Sequence, residues 1–183
     1  FLLPRLRIAA CLPLLWSGCA PPPAAAPGVG APQRIVSLAP SLTEILFAVG
    51  AGERVVGRTE VCNHPAEAAG LPVVGGFGRP SIEGIAALRP THVWYVDLED
   101  HGLPALFTRL GWLGGRIPCD RLDDIPAAVE TLGEQAGCDA AAERLAAELR
   151  GGIAARRAAA AHGAAAPSVL VVVWWEPLMT VGR

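Results

Sequence analysis

The sequence predicts an α/β protein of two doubly wound lobes joined by one long backbone helix, with the second lobe incomplete in these 183 residues. Three observations predict it. From Arg34 onward, short apolar runs alternate with helical periods, the pattern of strands and crossover helices on a mainly parallel sheet. Next comes "CDAAAERLAAELRGGIAARRAAAAHGAAAP", residues 138–167, Ala-rich with charges three and four apart and therefore a strong helix former despite Gly151 and Gly152. At about 1.5 Å per residue it spans more than 30 Å, long enough to carry the chain to a second body. Finally, "PSVLVVVWWEPLMTVGR" is an apolar strand run that makes no sense as a solvated tail and normally opens another sheet.

Each element of the first lobe has its own signal. "RIVSL" reads as a buried strand, and "APSLTEILFAVG" as a helix opened by Pro40 with Ser41 and Glu44 spaced as a capping box and ended by Gly50. "ERVVGR" gives the next strand and "CNHPAEAAG" a loop with a helical turn. "SIEGIAALRP" is a short helix stopped by Pro90, "THVWYV" a strand and "LPALFTRLG" a helix. "GRIPC" reads as a strand and "LDDIPAAVETLGEQAG" as a helix. These boundaries divide the chain into 1–19 leader, 20–33 tether, 34–137 first lobe, 138–166 interlobe helix, and 167–183 the first strand and loop of a second lobe whose remainder is expected beyond Arg183.

The N-terminus has the layout of an export signal. "LPRLRIAACLPLLWSGC" carries two arginines, a short apolar stretch and the small pair Ser17–Gly18 before Cys19, which resembles a lipoprotein signal with Cys19 as the lipidated first mature residue. An ordinary secretory leader cut elsewhere is the alternative. "APPPAAAPGVGAP" then reads as a Pro/Ala/Gly tether. With Cys11 in the leader and Cys19 acylated, Cys62, Cys119 and Cys138 remain. A Cys119–Cys138 bridge is not expected, because one residue ends a strand and the other ends the helix running back along it, roughly 20 Å apart.

Composition excludes some classes of function. Fifteen basic residues are scattered among seventeen acidic ones for a net charge of -2, which is not the basic stripe of a nucleic-acid binder. The longest apolar run in the body, "SVLVVVWW", is far short of the roughly 20 residues of a spanning helix, so membrane contact is expected only through a lipid anchor. "GAGERVVG" imitates a dinucleotide fingerprint, but its glycines follow a helix and precede a strand, so no helix N-terminus faces a phosphate. "VVGGFGRPSIEG" fits neither phosphate-loop frame. There is no G-x-S-x-G, no H-E-x-x-H and no nucleophile with an evident base, so no enzyme activity is expected.

Taken together, "RIVSLAPSLTEILFAVGAGERVVGRTEVCNHPAEA", "LPVVGGFGRPSIEGIAALRPTHVW", the long helix and "VLVVVWWEPLMTVGR" resemble the substrate-binding proteins of ABC importers for vitamin B12, ferric siderophores and haem, and most resemble the cobalamin-binding branch. The resemblance implies two Rossmann-like lobes about a rigid helix, a periplasmic location, and capture of a metal chelate, cobalamin first, for delivery to the permease subunits of the transporter. It implies no cofactor beyond that ligand. It also implies that Phe77 lines the ligand cleft and that Glu83, in the first turn of the helix that follows, meets arginines on the permease. A first-turn carboxylate is in any case favoured by the helix dipole.

The remaining site residues are His64, which occupies a slot that in this family often holds a cleft Tyr, and Trp175 and Met179 at the end of the last strand. Cys62 and His64 form a C-x-H pair, but two candidate ligands fall short of the three or four of a zinc centre, so no resident metal is expected. His92 is expected to be structural, and His101 and His162 solvated. Three alternatives remain: a ferric siderophore or haem receptor of the same family, for which Arg58 and Arg79 are candidate anion-binding groups, a receptor for free Zn or Mn ions, and an exported α/β enzyme.

Overall fold

The computed structural model describes residues 32–161, 171–174 and 179–181. In chain order the elements are β1 (Ile35–Ser37), α1 (Pro40–Ala48), β2 (Val55–Arg58), β3 (Gly75–Gly76), β4 (Arg79–Pro80), α2 (Ile82–Ala87), β5 (His92–Tyr95), α3 (Leu103–Arg109), β6 (Leu113–Arg116), α4 (Asp124–Gln135), α5 (Asp139–Ala161), β7 (Val171–Trp174) and β8 (Met179–Val181). The α/β class and the parallel sheet read from the sequence are those of the structure. β2, β1, β5 and β6 form one four-stranded sheet in that order, every neighbouring pair parallel.

Strand alternation divides the apolar residues between two cores. Ile35, Val55 and Trp94 face one side, where Leu42, Ile45 and Leu46 of α1 and Val129 and Leu132 of α4 cover them. Val36, Val93 and Tyr95 face the other, under Ile85 of α2 and Phe107 of α3. The connection from β1 to β2 therefore runs over one face and the next two over the opposite face. That reversal puts a topological switch point between β1 and β5, and sheets of this kind bind ligands outside the carboxyl ends of the strands at such a point.

α5 continues from α4 as a helical hairpin. The Cys138 N–H donates to the Gly133 carbonyl at 2.7 Å, closing the turn between them. Ala142 and Ala146 are buried, with Leu145 and Leu149 packed beside them, so the stripe at i, i+3, i+4 and i+7 seats the first half of α5 on the lobe. Gly133 of α4 makes the approach close, since a Cβ there would lie 2.1 Å from the Ala142 Cβ. Arg150 pairs with Glu130 at 2.6 Å and Arg157 with Asp123 at 2.9 Å, fixing the antiparallel register. From Gly151 to Ala160 most residues are exposed. The helix has 23 residues, about 34 Å, and lies within the span expected for the interlobe helix.

Four details correct the sequence reading. The Ser41–Glu44 capping box does not form, because α1 starts at Pro40 with extended Ala39 as its N-cap and no side-chain cap bond. Proline suits that first position since it has no N–H to satisfy. The strand read as "GRIPC" is Leu113–Arg116, two residues earlier. Its pairing with His92–Tyr95 sets the register, and Pro118 has no N–H for a ladder. "GGFGRP", to which the sequence reading assigns no strand, is a hairpin of β3 against β4. Met179 does not lie in a loop after β7. It begins β8 and pairs antiparallel with Trp174. Among the described residues Cys62, Cys119 and Cys138 are all free thiols.

Candidate functional site

The carboxyl ends of β1 and β5 are where a sheet of this topology holds ligands. The β3–β4 hairpin projects at that edge, and its position follows from a chain of backbone bonds. Val73 forms a parallel bridge to Arg58 at the end of β2, and the Val74 N–H donates to the Arg58 carbonyl at 2.8 Å, so the hairpin starts where β2 stops. The Glu60 N–H donates to the Gly75 carbonyl at 3.0 Å, and the Ser81 N–H returns to Val74 at 2.6 Å. Two glycines make the turn possible. Gly75 has φ 121°, and a Cβ there would lie 2.7 Å from the Arg79 carbonyl oxygen; Gly78 has φ 73°. Between them Phe77 is lifted to the tip, with 48% of its surface exposed.

The far side of the tip is tied to the loop after β5. The Glu99 N–H donates to the Gly78 carbonyl at 3.0 Å, and the Glu99 carboxylate receives the Arg79 Nε–H at 2.6 Å. That contact holds the Arg79 guanidinium pKa above its ordinary value. Arg116 at the end of β6 makes a similar bridge to Asp120 at 2.9 Å and Asp97 at 3.5 Å. Arg58 is buried, and its guanidinium donates to the carbonyls of Thr59, Glu60 and Ala69. It therefore locks the loop after β2. Both arginines singled out for anions thus already have partners.

Glu83 lies six residues beyond Phe77, exposed in the first turn of α2. Ser81 caps that helix by accepting the Gly84 N–H at 3.0 Å, and its hydroxyl lies 3.3 Å from the Glu83 carboxylate. His64 is exposed, its Nδ1 is 2.9 Å from Asn63 Oδ1, and a cis bond joins it to Pro65. It lines an open groove of about 750 Å³ with Phe47 and Ala48 at the end of α1, and Phe77 does not line that groove. The structure thus groups Phe77 with Arg79 and Glu99, sets Glu83 close along the chain, and places His64 in a groove that Phe77 does not line, on the loop whose Glu60 N–H bonds the hairpin at Gly75.

Trp175, Cys19 and His162 lie outside the described residues, and Met179 is described by its backbone strand alone. His92 is buried with its Nδ1 2.8 Å from the Thr91 hydroxyl, and burial pushes its pKa down. His101 is exposed. Cys62 is fully buried beside Thr59, at 3.0 Å, and no group of three or more potential metal ligands occurs among the described residues. The sequence reading missed Glu99. Twenty residues separate it from Arg79, and no local pattern announces a pair at that distance.

Residues 35–97, which contain β1, β2, the hairpin, α2 and β5, match the family model for a periplasmic binding protein. That stretch, about a third of the chain, is what resembles the periplasmic binding protein family. Among curated proteins similar to this chain, the vitamin B12-binding protein of Vibrio campbellii is 29% identical over 136 residues, which cover 69% of this chain and 46% of that protein. The chain thus spans about half the length of the curated relatives it matches. Among solved structures, the haem-binding protein RhuT from Roseiflexus sp. RS-1, in its apo form, is 33% identical with a TM-score of 0.70, over 76% of this chain and 54% of that one. The vitamin B12-binding protein BtuF of Vibrio cholerae is 25% identical with a TM-score of 0.72, over 81% and 58%. These relatives are named as binding proteins rather than enzymes.

Proposed function

We propose that the chain is the ligand-capturing part of a periplasmic substrate-binding protein of an ABC importer. It would take a metal chelate, cobalamin first, against the carboxyl edge of its sheet and deliver it to the permease. The single observation that supports this most is Phe77. A large apolar ring held half out of the protein on a braced, glycine-bounded hairpin, at the sheet edge where ligands bind, suits a flat macrocycle and serves no core. The vitamin B12-binding relatives favour cobalamin. The likeness to RhuT supports a second reading, haem. A ferric siderophore is less well served, because it needs free cationic groups and both Arg58 and Arg79 are engaged.

In this reading Glu83 meets the permease, His64, Trp175 and Met179 supply further ligand contacts, and Cys19 carries a lipid anchor. Labelled palmitate should enter the expressed protein and be lost in C19A. The main test is an absorbance titration of the full-length protein with cyanocobalamin, hemin and a ferric siderophore, repeated with Phe77→Ala. Cyanocobalamin should bind, and the substitution should weaken it about three- to tenfold. Binding by none of the three, or an affinity indifferent to Phe77, would overturn the proposal.

A further inference from the structure

The Phe77 hairpin is fastened at its root but not packed beneath its outer strand. An open cavity of about 420 Å³ lies under it, lined by Gly78, Arg79, Pro80, Glu99, Asp100 and Leu103. What crosses that gap is the Arg79–Glu99 ion pair at 2.6 Å, together with the Glu99 N–H bond to the Gly78 carbonyl at 3.0 Å. Both contacts come from one residue of the loop after β5, and both land on the residues immediately following Phe77. β3 and β4 have two residues each, so the ladder by itself holds the tip weakly. Exposed ion pairs contribute little to global stability. A pair that closes a gap on a short hairpin acts instead on where the tip sits.

We propose that Arg79 and Glu99 are positioning residues for ligand binding, a strap that sets the height of the Phe77 ring over the carboxyl ends of β1 and β5. The assignment rests on the reading of Phe77 as a cleft wall. Loss of the strap lets the tip sink into the cavity or swing outward, and the ring then meets a rigid ligand in fewer of its conformations. Apparent affinity falls in proportion to the fraction of molecules with the ring in place. Because the pair is solvent-exposed, at 76% and 57% for the two side chains, its effect is screened by salt.

The test uses the full-length protein with cyanocobalamin as probe and hemin as a second probe. Variants are Arg79→Gln, Glu99→Gln, the exchange of the two (Arg79→Glu with Glu99→Arg) and Phe77→Ala. Each Gln variant should weaken binding about two- to fivefold, the range of an exposed pair, with no change in melting temperature. The exchange variant should recover to within about twofold. Raising NaCl from 50 mM to 1 M should weaken wild-type binding and leave the Gln variants flat. If the Gln variants bind like wild type while Phe77→Ala is weakened, the strap is refuted and the cleft wall stands. If the Gln variants are weakened but the exchange restores nothing and salt has no effect, the pair acts as separate charges and positioning is refuted. If neither probe binds, or Phe77→Ala binds unchanged, the reading of the cleft falls and the strap with it.

Discussion

Gly133→Ala sets two physical effects against each other with opposite signs. On helix propensity alone the change stabilises the last turn of α4 by up to about 1 kcal/mol, because alanine gives up less backbone freedom than glycine. The structure predicts the reverse. The new methyl would lie 2.1 Å from the Ala142 Cβ, whereas carbon atoms rest at about 3.5 to 4.0 Å, so α4 and α5 must part by more than 1 Å along the contact. That parting loosens Ala142 and Ala146, which are 1% and 0% exposed. Overpacking of this kind costs about 1 to 3 kcal/mol, and so short a contact belongs in the upper half of that range, for a net loss of about 1 to 2 kcal/mol. For a lobe of this size the melting temperature should fall by about 3 to 8 °C, read by circular dichroism at 222 nm and checked by urea unfolding. Adding Ala142→Gly should return the stability to within about 1 kcal/mol of wild type, since the two propensity terms then cancel. A rise in melting temperature for Gly133→Ala alone would refute the close seating of α5.

Three other outcomes are expected. Burial holds the His92 pKa below its unfolded value of about 6.5, so the unfolded chain takes up the proton first and stability falls as pH drops below that value; His92→Phe should flatten this part of a stability-against-pH curve measured by urea unfolding. Arg157 and Arg150 hold the carboxyls of Asp123 and Glu130 below the ordinary range, so the stability they give is present at neutral pH and lost as pH falls through the carboxylate region. In Arg150→Gln with Arg157→Gln the acid arm of the same curve should be shallower. Glu83→Arg should abolish ligand uptake in cells while the purified protein keeps its affinity, and uptake at the normal rate would refute the docking role.

The strands of the lobe were legible because their apolar residues are contiguous. "RIV" and "HVWY" pack on both faces of the sheet, so no polar residue interrupts them, and their boundaries follow. β6 was read two residues late because "LGGR" offers one apolar side chain, and that one, Leu113, is 55% exposed. Pairing with β5 alone fixes it. The capping box misled for a similar reason: Ser41 and Glu44 have the right spacing, but the fixed ring of Pro40 had already begun the helix.

At the candidate site, Phe77 and Glu83 could be singled out in the sequence because they belong to one continuous stretch with its glycines and its Ser81 cap. Glu99 and the buried guanidinium of Arg58 could not be, since what each does depends on loops that meet in space. Arg58 resembled a free cationic group in the sequence, and one of its carbonyl partners, Ala69, comes from a turn that folds back eleven residues later.

The seam between α4 and α5 is made of Gly133, Ala142 and Ala146, side chains too short to interlock deeply. Beyond Leu149 the two helices stay tied by Arg150–Glu130 and Arg157–Asp123, and only the last four residues of α5, about 6 Å, run past that second tie. Close contact at one end and ion pairs along the rest make the two rods a single stiff bar: a load applied near Ala161 is carried into α4 and the sheet beneath it instead of being spent in bending α5.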